Sequence, residues 1–118
     1  MDSAELSRKV AEAMGWRKCE RPRPAWDEDI WHPAQDPTEC SENCCPVPLL
    51  DLADARDREA AIEWLRAKGI SVQLCYSVAE VYVFIYPKQG WKPLASTKAP
   101  TIEEAFGRAF LAAMGVQG

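Results

Sequence analysis

Two stretches of alternating residues near the middle of the chain constrain its fold most. In ISVQLCY, residues 70–76, large apolar side chains recur at every second position, and VYVFIY, residues 81–86, follows after a short turn. A period of two indicates β-strands, and the short spacing predicts an antiparallel hairpin. Because VYVFIY is apolar on both faces, we expect it to be a central strand that is covered on both sides. WKPLAST, residues 91–97, predicts an edge strand, since Pro93 cannot donate to a ladder.

Three other segments have the period of a helix and end at or next to a glycine. Asp51 or Asp54 is expected to cap the second helix, and Thr101 with Glu104 predicts a capping box at the third. The predicted helices cover residues 3–14, 54–68 and 102–114.

The order of these elements predicts the fold class. It is α+β, with a three-stranded antiparallel sheet layered with helices in an αβα sandwich-like arrangement, in the order α-loop-α-β-β-β-α. A length of 118 residues suits one domain. We therefore expect a single domain over residues 1–118, made of an N-terminal helix (1–15), an ordered loop (16–50) and an αβββα core (51–118).

The predicted loop has an unusual composition. It holds most of the nine prolines and three of the five tryptophans. Solvated tails are poor in aromatic residues, so the tryptophans indicate that the loop packs on the domain. Long ordered loops of this kind are often functional.

The stretch WRKCERPRPAW places Arg17, Lys18, Arg21 and Arg23 between two tryptophans. Cations bind phosphates, and indole rings stack on planar groups. This combination predicts a site for a small anionic, nucleotide-like ligand, although a solvated basic loop anchored by its tryptophans would have the same pattern. The predicted ligand-binding residues are Trp16, Arg17, Arg21, Arg23, Trp26 and Trp31.

A cysteine cluster, ECSENCC, follows the only histidine of the chain. Cys40 and Cys44 have the spacing of a zinc-ligand pair, and Cys45 with His32 would complete a tetrahedral set. A second pair is missing, so we expect no cofactor, with structural zinc as the alternative and small buried apolar cysteines as the simplest interpretation. A cysteine-dependent enzyme would need a thiolate beside an oriented imidazole, and nothing in the sequence positions His32 for that role.

Charge and hydropathy limit the partners. The net charge is −4 and the isoelectric point about 5.0, which disfavours binding to genomic nucleic acid through a broad basic surface. The sequence shows neither a signal peptide nor a membrane span, so we expect a cytoplasmic protein without a membrane partner. An unpaired sheet edge makes a homo-oligomer a further expectation.

The helix end MGW at Met14–Trp16, the proline- and tryptophan-rich connector, the helix ending in KG and the segment STKAPTIEEAFGRAFLAAMG together resemble the phage ABA sandwich domain family. The resemblance implies a phage-encoded domain in the host cytoplasm, layered helix–sheet–helix, with no defined active site. It implies an accessory binding protein that is not an enzyme. Such a protein would counter host defence by sequestering a nucleotide-like signal or by blocking a host protein. The alternative is a zinc-stapled structural or interaction module.

Overall fold

The computed structural model describes residues 3–19, 30–33 and 47–115, which form three helices and two antiparallel sheets. The predicted α+β class, with a three-stranded antiparallel sheet layered with helices, is confirmed. The elements are α1 (Ser3–Ala13), β1 (Arg17–Lys18), β2 (Ile30–His32), β3 (Val47–Pro48), α2 (Ala55–Ala67), β4 (Ser71–Tyr76), β5 (Val81–Tyr86), β6 (Ala95–Ala99) and α3 (Ile102–Ala113).

The helix starts follow the predicted caps in part. The side chain of Asp54 accepts a hydrogen bond from the backbone N–H of Arg56 at 2.8 Å, so Asp54 caps α2. Thr101 occupies the N-cap of α3, but its side chain makes no capping hydrogen bond, and the predicted capping box is wrong. The carboxylate of Glu104 lies 2.7 Å from the guanidinium of Arg108 instead, one turn further along the helix.

The large sheet has the strand order β4-β5-β6, which confirms VYVFIY as its central strand. Its third strand begins later than the predicted range of 91–97. Pairing starts where the backbone N–H of Leu94 donates to the carbonyl of Ile85 at 2.6 Å, and β6 continues to Ala99. The physical reason is Pro93, which has no N–H to donate and holds the preceding residues in bends. The predicted edge position of this strand is confirmed.

The two faces of the large sheet differ. On the inner face, Val81, Val83 and Ile85 are buried in one core with α3. The side chain of Thr97 also lies on this face, and its hydroxyl donates to the carbonyl of Ala105 in α3 at 2.6 Å. On the other face the aromatic residues of β5 are only half-buried, so among the described residues the expected coverage is complete on one face alone.

Helix α1 packs on α3 rather than on the sheet. The two helices approach closely at Gly107, where an added Cβ atom would lie 3.1 Å from Leu52 Cδ1 and 3.4 Å from Leu6 Cβ. The shorter contact is tighter than ordinary van der Waals packing, so a methyl group here would require the side chain of Leu52 to move by a few tenths of an ångström.

The small sheet lies within the segment predicted as a loop. Its order is β1-β2-β3, and it pairs Arg17 with His32, Lys18 with Trp31 and Ile30 with Pro48. Strands of two or three residues are too short to show a period of two, which is why the sequence did not predict them.

A candidate ligand-binding cleft beside the small sheet

The chain reverses sharply at the end of α1 and places the first predicted site residues against that helix. Gly15 has φ +100°, a conformation that favours glycine, and the backbone N–H of Trp16 then donates to the carbonyl of Ala11 at 2.9 Å. β1 follows at once, and its partner β2 places Trp31 directly opposite Lys18. Residues on opposite sides of this turn therefore share one surface.

That surface encloses a cleft of about 300 Å³, which we call the tryptophan cleft. Of the six predicted ligand-binding residues, the structure brings three together here: Trp16, Arg17 and Trp31. The other three, Arg21, Arg23 and Trp26, lie outside the described residues. The residues lining the tryptophan cleft are Arg8, Glu12, Trp16, Arg17, Lys18 and Trp31.

Three cations and one carboxylate line the cleft, although the whole chain is acidic. The guanidinium Nε of Arg8 lies 3.5 Å from the carboxylate of Glu12, and both side chains are about half exposed. Exposed ion pairs of this kind contribute little to stability and exchange readily with other partners. Among the described lining residues, cations therefore outnumber carboxylates three to one.

The two tryptophans each have an indole N–H donor without an acceptor among the described residues. Trp31 is only 6% exposed and Trp16 is half-buried. Both indole Nε1 atoms are buried and have no hydrogen-bond partner. A buried donor without an acceptor costs about 1–3 kcal/mol, and native proteins contain few of them. Both donors belong to residues that line one cleft.

Sequence reasoning missed two lining residues on α1 and left Lys18 out of the predicted set. Arg8 and Glu12 are separated by four positions, so they lie on one face of the helix. An exposed Arg–Glu pair is usually a solvated helix surface, and only the turn at Gly15 brings it beside the tryptophans. The sequence could have indicated them because they lie on the same helix that ends in MGW, next to the first predicted site residue.

Only one of the four predicted metal ligands lies in the described part of the chain. His32 is fully buried on β2, while Cys40, Cys44 and Cys45 lie outside the described residues. Within the described ranges, no group of three or more histidine, cysteine or acidic side chains could hold a metal ion. Structural zinc therefore stays a prediction.

In the described part of the chain, no helix is long and apolar enough to cross a membrane. Searches among known protein families, curated proteins and solved structures find no match to this chain. The resemblance to the phage ABA sandwich family stays a prediction.

Proposed function

We propose that this protein binds a small anionic ligand with a planar, nucleotide-like group in the tryptophan cleft and acts by holding it. The observation that carries the proposal is the convergence of three cations and two tryptophans around one cleft, together with two buried indole N–H groups that have no acceptor among the described residues. Guanidinium and ammonium groups bind phosphate oxygens, while indole rings contact a planar base.

The size of the cleft narrows the ligand class. About 300 Å³ is at the lower end of the volumes typical of small-molecule sites. Such a volume suits a mononucleotide or a cyclic mononucleotide better than a dinucleotide. The larger parts of a longer ligand would remain in solvent and add little to the affinity.

The lining residues favour occupancy over catalysis. Among the described lining residues, Glu12 is the only carboxylate, and Arg8 lies beside it at 3.5 Å. Under this proposal, sequestering the ligand is itself the activity, and the phage resemblance would make that activity a means of countering host defence. Blocking a host protein is the version that would remain if no small ligand binds.

The test is calorimetric titration with linear and cyclic mononucleotides, with the matching nucleosides and inorganic phosphate titrated separately. We expect at least one mononucleotide to bind more tightly than its nucleoside or phosphate alone, because only the complete ligand contacts both the cations and the indoles. Raising the salt concentration should weaken this binding. No heat from any mononucleotide, with a folded protein, would overturn the small-ligand proposal.

Variants locate the site. Arg17→Ala and Lys18→Ala should each lower the affinity about tenfold, since a charge-assisted hydrogen bond contributes about 1.5–3 kcal/mol. Arg56→Ala is the matched control, because this cation is 92% exposed on α2 and does not line the cleft. Equal affinities for the wild type and the Arg17→Ala/Lys18→Ala double variant would show that the ligand binds elsewhere.

A further inference from the structure

The second face of the large sheet has a composition unlike the rest of the molecule. Tyr82, Phe84 and Tyr86 alternate along the central strand β5 and lie opposite the face that packs on α3. Directly opposed residues of neighbouring strands share a face. We call this surface the outer face, and its residues are Ser71, Gln73, Cys75, Tyr82, Phe84, Tyr86, Ser96 and Lys98.

The outer face takes no part in the hydrophobic core. The core and the partly buried residues packed against it include none of the three aromatic side chains. These side chains are half-buried even though they lie on a central strand. Three adjacent aromatic groups in that state form a partly exposed apolar stripe, and contiguous apolar patches mark binding surfaces more often than single exposed residues do.

The rings are arranged for stacking. Those of Phe84 and Tyr86 have centroids 6.5 Å apart and planes inclined by only 28°. Residues two positions apart on a strand are separated by about 6.6 Å, so the stripe repeats at that interval. Sheet proteins that bind single-stranded RNA stack two or three splayed bases on aromatic residues that alternate along central strands in this way.

Charge selects among the partners that an aromatic stripe could accept. The outer face has Lys98 paired with Tyr82 and no carboxylate. The segment from residue 81 to 102 contains three lysines and no acidic residue, although the whole chain has a net charge of −4. A second copy of this face would bring no negative charge to Lys98, whereas a phosphate backbone would bring one. Gln73, Ser71 and Ser96 add groups that hydrogen-bond to base edges.

We propose that the outer face binds single-stranded nucleic acid, with bases stacked on Tyr82, Phe84 and Tyr86 and the phosphate backbone beside Lys98. A duplex keeps its bases stacked on one another and would need a broad basic surface, which this acidic chain lacks. The site is separate from the tryptophan cleft and does not depend on the function proposed for it.

The test is fluorescence anisotropy with labelled ten-nucleotide single strands of oligo-dT and oligo-U at low salt, with a duplex of the same length as comparison. We expect both single strands to bind and the duplex to bind at least tenfold more weakly. Stacking contributes about 1–3 kcal/mol per base, so Phe84→Ala should weaken single-strand binding by about tenfold. Lys98→Gln should lower the salt dependence of the affinity by about one charge.

The matched control is Tyr76→Ala. Tyr76 is 67% exposed on β4 and pairs with Val81, so it belongs to the other face of the sheet. It should leave the affinity unchanged. Phe84→Leu keeps an apolar side chain without an aromatic ring, and it serves where the alanine variant does not fold. Arg17→Ala should also leave single-strand binding intact, which separates this site from the cleft.

Three outcomes would overturn the proposal. The first is no single-strand binding at low salt by a folded protein. The second is an equal loss of affinity in Phe84→Leu and Tyr76→Ala. The third is a dimer in sedimentation that dissociates in Phe84→Leu, which would show that the outer face binds a second copy of this chain.

Discussion

The two sheets of this protein have the same number of strands and are both antiparallel, but they differ in strand length and in what surrounds them. The large sheet has strands of five or six residues, and its inner face is buried against α3 in a continuous apolar core. The small sheet has strands of two or three residues, and a buried histidine, two indole donors without acceptors and a cationic cleft lie on or beside it. Apolar burial stabilises the first, whereas the second has two buried indole donors with no acceptor among the described residues. Stability and binding should therefore be separable by mutation.

The largest effect should come from the core behind the large sheet. Phe110 is fully buried, and its ring centroid lies 5.6 Å from that of Trp64 and 6.1 Å from that of Phe106. Phe110→Ala should lower the free energy of unfolding by about 3–5 kcal/mol in urea denaturation, because it leaves a cavity among these rings. Phe84→Ala on the outer face should cost well under half as much. A similar cost for both would remove the distinction between the two faces.

The next effect concerns the connection between the two regions. The backbone N–H of Leu52 is buried and donates to the hydroxyl of Ser7 at 3.0 Å, which joins α1 to the segment after the small sheet. Ser7→Ala should cost about 1–3 kcal/mol in the same measurement, because it leaves a buried donor unpaired. Ser77→Ala removes a hydroxyl whose hydrogen bonds are exposed, and it should cost less than about 1 kcal/mol. Equal costs would mean that water reaches Leu52.

A smaller effect on stability is expected at Trp31, which is more deeply buried than Trp64. Trp31→Phe loses packing but also removes an indole donor that has no acceptor, so the two contributions oppose each other. We expect a cost within about 1.5 kcal/mol by urea denaturation. Trp64→Phe, at a half-buried residue of the large core, should cost more although Trp64 is the more exposed of the two. The reverse order would show that the indole of Trp31 is well satisfied in solution.

The smallest effect on stability should accompany a large effect on binding. Arg17 is exposed on a two-residue strand, so Arg17→Ala should change the free energy of unfolding by less than about 0.5 kcal/mol. Thermal unfolding with and without a mononucleotide measures both properties in one experiment. The variant should unfold at the wild-type temperature without ligand and should lose most of the ligand-induced rise. An unchanged rise would contradict the assignment of the cleft.

The sequence predicted the large sheet well because its signal is local. Alternation in VYVFIY identified the central strand, and β6 was displaced from the predicted 91–97 to Ala95–Ala99, because Pro93 interrupts pairing without interrupting the apolar pattern. The small sheet could not be predicted, since its strands are too short for any period to show. Its pairing joins segments more than ten residues apart in the chain, and tertiary contacts alone decide such a register.

The predicted ligand-binding residues overlap in part with the residues that line the tryptophan cleft. Cations interleaved with tryptophans indicated Trp16, Arg17 and Trp31 correctly as neighbours. Arg8 and Glu12 were missed because an i, i+4 ion pair is the ordinary surface of a helix. Their position beside the tryptophans depends on the reversal at Gly15. The direction that the chain takes after such a turn cannot be predicted from the sequence.

The packing of α1 on α3 has a consequence for synthesis. Among the described elements, α1 emerges from the ribosome first and α3 last, yet each covers the apolar face of the other. Chains are made at about 5–20 residues per second, so α1 waits several seconds for its partner. During that interval Leu6 and Val10 lack the α3 surface that covers them in the folded protein. A nascent chain therefore keeps the apolar stripe of α1 uncovered by α3 until that last described helix has been made.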